Sequence, residues 1–156
     1  MTKILCLDQA TLKSGYSIWE DKALISYGVL EVDSKEKNYI ERIKIMNNLI
    51  VELIELHSPS FIIIEDTQMQ NNSKTFQQLS QLQGVLMAYF FKIDIGFCIV
   101  KPSEWKSTCG IKGRKREEQK LNTIAFVKDK FGFDVSEDEA DAIGIGVWVV
   151  SNIKIV

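Results

Sequence analysis

The sequence Ser136-Glu137-Asp138-Glu139-Ala140-Asp141-Ala142 begins the last apolar segment of the chain, which runs to Val150. Ser136, followed three residues later by Glu139 and then by apolar residues, predicts a helix that starts with a capping box. Asp138 and Asp141 are three residues apart, so they share one face of that helix. Because Asp141 leads directly into apolar residues, its carboxylate lies at the edge of a core and needs a partner. A metal ion is one candidate for that partner.

Two earlier apolar runs also end on acidic residues. Residues 4–7 are continuously apolar and end on Asp8, and residues 61–64 are continuously apolar and end on Glu65. Such runs predict buried central strands, and the helical spacing between them predicts a crossover that pairs the two strands in parallel. Because ligands bind at the carboxyl edge of open α/β sheets, we expect Asp8 and Glu65 to stand together there.

The remaining pattern completes an α/β chain in the order β-β-β-α-β-α-β-α-α. It comprises strands at 15–19, 23–32 and 97–100, helices at 35–57, 75–92 and 114–131, and an irregular stretch at 101–113. We predict a five-stranded mixed sheet, in which a three-strand antiparallel meander joins two parallel strands, with helices on both faces. The inner face of the 114–131 helix is predicted to carry Leu121, Ile124, Ala125 and Lys128.

Composition favours one globular domain over residues 1–156. The chain is 46% apolar and 26% charged, with a net charge of −2 that does not by itself indicate a nucleic-acid partner. Cys6, Cys98 and Cys109 have no metal-site spacing, which favours reduced thiols and a cytoplasmic location. We recognise no signal peptide and no membrane-spanning segment, so we expect no membrane partner.

Four carboxylates in one place would restrict the chemistry. Like charges need neutralising cations, and an all-oxygen ligand set suits Mg2+ or Mn2+ rather than zinc. The single histidine, His57, falls at a helix end, which argues against a His-based triad. What remains is metal-assisted attack on phosphate, for which two ions ~3.5–4 Å apart are suited.

Each acid also has an ordinary explanation. Asp8 could end a strand, Glu65 could pair with a lysine, and Asp138 could interact with the helix dipole. The spacing alone leaves both interpretations open.

At these residues the chain resembles the RuvC family of Holliday-junction resolvases, of the phage type, within the ribonuclease-H-like superfamily. The resemblance is carried by four stretches in the family's order: residues 4–8 with 15–17, residues 62–65, residues 81–85 and residues 138–145. It implies a ribonuclease-H-like fold in which Asp8, Glu65, Asp138 and Asp141 bind two Mg2+ ions. It also implies a homodimer that cuts branched DNA symmetrically and leaves 5′-phosphates, with Lys106 near the scissile phosphate.

The chain departs from the family at two positions. Gln9-Ala10 stands where cellular members have Pro-Gly, and we expect Gln9 not to touch the metal. Gln68 stands where cellular members often carry an aromatic residue that wedges into the junction. Cut-site preference and strict junction selectivity therefore stay open, and a looser branched-DNA nuclease is an alternative.

A basic segment provides a path for DNA. Residues 101–120 hold seven basic and three acidic side chains, a local excess of four positive charges on an acidic protein. The predicted DNA-binding residues are Lys101, Lys106, Lys112, Arg114, Lys115, Arg116, Gln68 and Lys74, with Lys13 a weaker candidate. The alternative is a solvated helix start whose charges pair with one another.

An apolar stripe on the second predicted helix has two interpretations. Its members are Phe76, Leu79, Leu82 and Leu86, with Gly84 beside them. They could belong to the core, or part of the stripe could form the dimer interface that the resemblance implies.

Three other function classes compete with the resolvase. One is a ribonuclease-H-like nuclease acting on RNA–DNA hybrids or flaps, and another is a branched-DNA-binding module without activity. A sugar-kinase or actin-like ATPase would need a glycine-rich phosphate loop after Asp8, and residues 9–14 contain no glycine.

Overall fold

A five-stranded mixed sheet forms the centre of the computed structural model, which describes residues 2–69 and 71–152. Its strands are β1 (Lys3–Asp8), β2 (Lys13–Glu20), β3 (Ala23–Glu31), β4 (Phe61–Glu65) and β5 (Gly96–Val100). The strand order is β3-β2-β1-β4-β5, in which β1–β2–β3 is an antiparallel meander and β4 and β5 run parallel to β1. The predicted mixed sheet is confirmed. The predicted single domain includes residues 1, 70 and 153–156, which lie outside the described residues, and it stays a prediction.

Within the described residues, five helices cover the two faces of this sheet. They are α1 (Tyr39–His57), α2 (Ser73–Lys92), α3 (Pro102–Cys109), α4 (Arg116–Phe131) and α5 (Glu137–Asn152). Side chains alternate along each strand, so Leu5 and Leu7 join the core under α1 and α2, while Ile4 and Cys6 join the core under α3, α4 and α5. No helix in the described ranges is long and apolar enough to cross a bilayer.

Helix α3 corrects the prediction of an irregular stretch at 101–113. Pro102 occupies the first helical position, and the Glu104 carboxylate accepts a hydrogen bond from the backbone N–H of Lys101 at 3.3 Å. Gly110 ends the helix in the left-handed conformation, with φ of 70°. The helix has eight residues and buries only Trp105, so it has no apolar periodicity that sequence reasoning could detect.

The predicted inner face of α4 was largely wrong. Leu121 is 67% exposed and Ala125 and Lys128 are exposed, whereas Thr123 and Val127 are buried. Thr123 tolerates burial because its hydroxyl donates to the Gln119 carbonyl at 2.8 Å within the same helix.

The apolar stripe of α2 divides between the two interpretations. Leu82 and Leu86 are fully buried in the core, while Phe76 and Leu79 are half-buried. Gly84 is exposed and faces open space, so it lies on the opposite side of the helix from the buried leucines. Leu82 and Leu86 are therefore core residues and not interface residues.

Helix α5 lies directly on the sheet, as its uniformly apolar sequence predicts. The capping box is present, since Ser136 N–H donates to the Glu139 carboxylate at 3.0 Å and Glu139 N–H donates to the Ser136 hydroxyl at 3.3 Å. Residues 142–147 are all buried. The close approach depends on Gly146, where a Cβ would overlap the indole ring of Trp19.

Gly146→Ala should therefore destabilise the protein, although alanine is the better helix former by ~1 kcal/mol. Overpacking against Trp19 should outweigh that gain by costing ~1–3 kcal/mol. Urea unfolding of Gly146→Ala, Trp19→Phe and the double variant measures the coupling. In the double variant, the smaller ring should reduce the stability loss caused by Gly146→Ala by more than ~0.5 kcal/mol. Strictly additive losses of stability would contradict the packing contact between Gly146 and Trp19.

Candidate active site

The four predicted acids line one cleft. The last residue pair of the β1–β4 ladder joins Leu7 to Ile64, so Asp8 and Glu65 follow side by side at the carboxyl edge of the sheet. Asp138 and Asp141 come from the first turns of α5 and complete the wall of the same cleft, which has a volume of about 350 Å³. Three separate segments thus bring the carboxylates together. Their role as metal ligands stays a prediction.

Gly15 allows α5 to begin beside Asp8. Gly15 pairs directly with Asp8 across β1 and β2, and a Cβ at Gly15 would overlap the Asp138 carbonyl. The Ser17 hydroxyl then donates to the Ala142 carbonyl at 2.6 Å and ties the helix to β2. The position of both aspartates on α5 is therefore fixed by contacts of the helix with Gly15 and Ser17 of β2.

Burial raises the pKa of all four carboxyl groups, and neighbouring negative charges add to the effect. Burial raises the pKa of Asp8 well above its usual value, and the charges of Glu65, Asp141 and Asp138 raise it further. Burial, followed by the charge of Glu65, raises the pKa of Asp141 to about 7. Burial also raises the pKa of Glu65, although a hydrogen bond from Trp105 opposes that effect. For Asp138 burial again raises the pKa, with the neighbouring Glu137 adding to it.

The donor set fits a hard divalent cation. The four acids supply only oxygen ligands, and none of them forms an ion pair within residues 2–69 and 71–152. Across those same ranges, no three acidic, His or Cys side chains stand close enough to form a finished metal site. Within the described residues, the four carboxylates thus line one cleft without meeting at one point.

The basic residues divide into two groups. Lys106 and Arg116 line the acidic cleft, and Lys106 Nζ donates to the Gln119 side chain at 3.1 Å. Lys101, Lys112, Arg114 and Lys115 are exposed and lie outside the cleft lining. Lys120, which belongs to the predicted basic segment but was not among the predicted DNA-binding residues, also lines the cleft and pairs with Glu137 at 3.0 Å.

A second pocket adjoins the acidic cleft on the side of α2. It shares Asp8 and Glu65 with the first cleft, and Gln68 and Asn72 are among its polar lining residues. Lys74 is exposed in the first turn of α2 and does not line this pocket. Lys13 pairs with Glu31 at 3.5 Å on the neighbouring strands.

Two residues in contact with Glu65 were missed as site residues. Gln9 Nε2 donates to the Glu65 carbonyl at 2.6 Å, and Glu65 N–H donates to Gln9 Oε1 at 3.2 Å. Trp105 Nε1 donates to Glu65 Oε2 at 2.6 Å. The sequence carried one signal for Gln9, a polar residue directly after a buried strand, but it carried none for Trp105.

The chain matches a known protein family over almost its whole length. The family described as Lactococcus phage M3 protein matches residues 1–151. The chain belongs to this family. Members of the RuvC group are also similar to the chain over nearly its whole length. The crossover junction endodeoxyribonuclease RuvC of Rickettsia bellii is 26% identical, over 91% of this chain and 92% of the relative. The RuvC of Rickettsia conorii is 25% identical over the same shares.

Solved structures show the same fold for this phage-family chain. Thermus thermophilus RuvC, in complex with a Holliday junction substrate, matches with a TM-score of 0.73 at 14% identity, over 96% of this chain and 93% of that one. The fowlpox virus resolvase in complex with Holliday junction DNA matches with a TM-score of 0.67 at 13% identity, over 98% of this chain and 100% of that one. The predicted RuvC resemblance and the ribonuclease-H-like fold are confirmed.

The basic pKa of Asp141 predicts how stability depends on pH without divalent ions. Between the unfolded value of 3.8 and the folded value of about 7, the folded state binds more protons, so stability falls as pH rises and levels off above 7. Each unit of the difference corresponds to ~1.4 kcal/mol. Asp141→Asn should therefore stabilise the chelator-treated protein at pH 8 and change it little at pH 4, as measured by urea unfolding.

Asp129→Asn is the matched control, because Asp129 is an exposed residue of α4 outside the cleft. It should leave the pH dependence unchanged. Destabilisation of Asp141→Asn by the same amount at both pH values would contradict the raised pKa of Asp141.

Proposed function

We propose that this protein is a divalent-metal-dependent, structure-selective DNA endonuclease that resolves Holliday junctions or related branched DNA by paired symmetric nicks. The observation that carries the proposal is the convergence of Asp8, Glu65, Asp138 and Asp141 beside Lys106 and Arg116 in one cleft. The relatives named as crossover junction endodeoxyribonucleases, and the two neighbours solved with junction DNA, support the same substrate.

The four acids would bind two Mg2+ ions, with Mn2+ as a substitute. When bound, such ions supply an activated water and charge neutralisation at the leaving oxygen of a phosphodiester. The four acids would hold the ions at the edge of the sheet, and hydrolysis of the phosphodiester would leave 5′-phosphate ends. Lys106, held by Gln119, contributes a positive charge for the scissile phosphate.

DNA approaches the cleft along the loop between α3 and α4. This loop carries Lys112, Arg114 and Lys115, which are all exposed. Helix α4 holds the loop, because the Asn122 amide donates to the Lys112 carbonyl at 2.5 Å and the Gln119 amide donates to the Gly113 carbonyl at 2.9 Å. Lys101 extends the positive surface, and Gln68 and Lys74 serve the strand that passes on the α2 side. A fixed row of cations beside an acidic cleft suits phosphate backbones.

The protein acts as a homodimer in the cytoplasm, that of the host cell if the chain is phage-encoded. The exposed face of α2 provides a suitable interface, since it combines small and apolar residues: Gly84, Val85, Ala88 and Phe91. Val85 is 39% exposed and Phe91 is 66% exposed. An isologous contact at this face would place two clefts in opposed orientation, as paired nicks require.

Asp8→Asn should lower Mg2+-dependent cleavage of a synthetic four-way junction by ~100-fold or more. Loss of a residue that only orients a metal ligand already lowers affinity or activity by ~10–100-fold. Binding of the junction should persist, since removing a negative charge does not weaken phosphate contacts. A panel of junction, fork, flap, duplex and RNA–DNA hybrid substrates measures both properties. Asp129→Asn should cut as the native protein does.

The same panel separates the alternatives. Preferred cleavage of the hybrid would favour another ribonuclease-H-like nuclease, and junction binding without turnover in Mg2+ or Mn2+ would favour a binding module. Full junction cleavage by Asp8→Asn would contradict the proposed function.

Val85→Glu should convert the dimer to a monomer, because two carboxylates would face each other in an apolar contact. Sedimentation velocity measures the mass, and the ratio of paired to single nicks reports the loss of symmetry. Leu56→Glu is the control, since it introduces the same charge at a residue that is 77% exposed on a different helix, α1. A native protein that is already monomeric, or a dimeric Val85→Glu variant, would refute the interface.

A further inference from the structure

We propose that Trp105 and Gln9 are positioning residues that together hold Glu65 in the orientation needed for a metal ligand. This inference rests on the proposed function, because it assigns Glu65 a task at the divalent-metal site. Neither side chain is acidic, and neither would itself bind a cation through a carboxylate. Both act on Glu65 alone, one on its side chain and the other on its main chain.

The Trp105 indole fixes the carboxylate. Its Nε1–H donates to Glu65 Oε2 at 2.6 Å, and the side chain of Trp105 is completely buried. An indole N–H can only donate, so a buried indole must find an acceptor, and a carboxylate is a strong one. A carboxylate has about four acceptor positions, so this bond holds Oε2 towards the indole and leaves the other positions for ligands.

The ring of Trp105 is itself unable to turn. It packs against Gly144 of α5, where a Cβ would lie 2.5 Å from ring carbon Cζ3. Lys106 Nζ stands 5.6 Å from the ring centroid on the side of the cleft. Because Trp105 is the one buried residue of α3, this short helix serves to place the indole between α5 and the end of β4.

The Gln9 amide fixes the main chain of the same residue. It is 6% exposed and makes two hydrogen bonds to the Glu65 backbone, at 2.6 Å to the carbonyl and 3.2 Å from the N–H. These bonds continue the β1–β4 ladder beyond its last pair, Leu7 and Ile64, with a side-chain amide in place of a peptide. Donor and acceptor are both satisfied, so the burial of this polar side chain is explained by the contact.

Holding Glu65 from both sides lowers the cost of gathering repelling carboxylates around an ion. Groups that orient a ligand typically change metal affinity or activity by ~10–100-fold when they are removed. A side chain that only fills the core would lower stability on truncation and leave the affinity for cations unchanged. The two roles therefore differ in a measurable quantity.

The matched pair of variants is Trp105→Phe and Trp19→Phe. Both remove a buried indole N–H from the same core layer, but the Trp19 indole donates to the Ser17 hydroxyl at 2.9 Å and not to a cleft acid. Electron paramagnetic resonance of free Mn2+ measures affinity without DNA or turnover. We expect Trp105→Phe and Gln9→Leu to weaken Mn2+ binding by ~10-fold or more. We expect Trp19→Phe to lose stability without losing affinity.

A second measurement uses the native protein, so it does not depend on whether the variants fold. In a proton–nitrogen spectrum, the Trp105 indole resonance should shift when Mg2+ is added, whereas the Trp19 resonance should not. Equal Mn2+ affinity in the two tryptophan variants, or a Trp105 resonance that ignores Mg2+, would overturn the positioning role. If the native protein binds no Mn2+ and cuts no junction, the proposed function itself fails, and that outcome is distinct.

Discussion

Repulsion among four partly or fully buried carboxylates is the constraint on which the rest of the structure depends. Burial raises the pKa of Asp8, Glu65, Asp138 and Asp141, and the charges of the other acids raise those of Asp8 and Asp141 further. None of the four has a cationic partner within ion-pair distance in the described ranges. The fold supports this arrangement by joining it to rigid elements. Parallel pairing of β1 with β4 places two of the acids, and close packing of α5 on β2 places the other two. At neutral pH such a group of acids lowers its negative charge by holding protons, as the raised pKa values of Asp8 and Asp141 indicate, or by binding cations.

Charge is separated over short distances on this surface. An overall charge of −2 conceals the basic segment of residues 101–120, which borders the acidic cleft through Lys106 and Arg116. DNA phosphates would contact the basic segment, while divalent cations would occupy the acidic cleft. An acidic protein can therefore bind DNA without a basic overall composition.

The sequence predicted those elements that depend on residues close together in the chain. Continuous apolar runs ending on Asp8 and Glu65 identified two central strands, and the Ser136–Glu139 capping box identified the start of α5. Contacts between distant segments were not predictable in the same way. Helix α3 is too short for a periodic signal, and the pairing of Trp105 with Glu65 depends on how α3 docks against α5. For Gln9 we expected from the sequence only that the side chain would not touch the metal. Its bond to Glu65 was not predictable, because the amide extends the pairing of β1 with β4, which appears only once the strands are paired.

The most direct measurement is anomalous diffraction from crystals of the native protein soaked in Mn2+. Two anomalous peaks ~4 Å apart should lie in the cleft, within bonding distance of oxygens from Asp8, Glu65 and at least one aspartate of α5. Mn2+ bound elsewhere on the surface, with the cleft empty at saturating concentration, would contradict the claim that these acids form one metal centre.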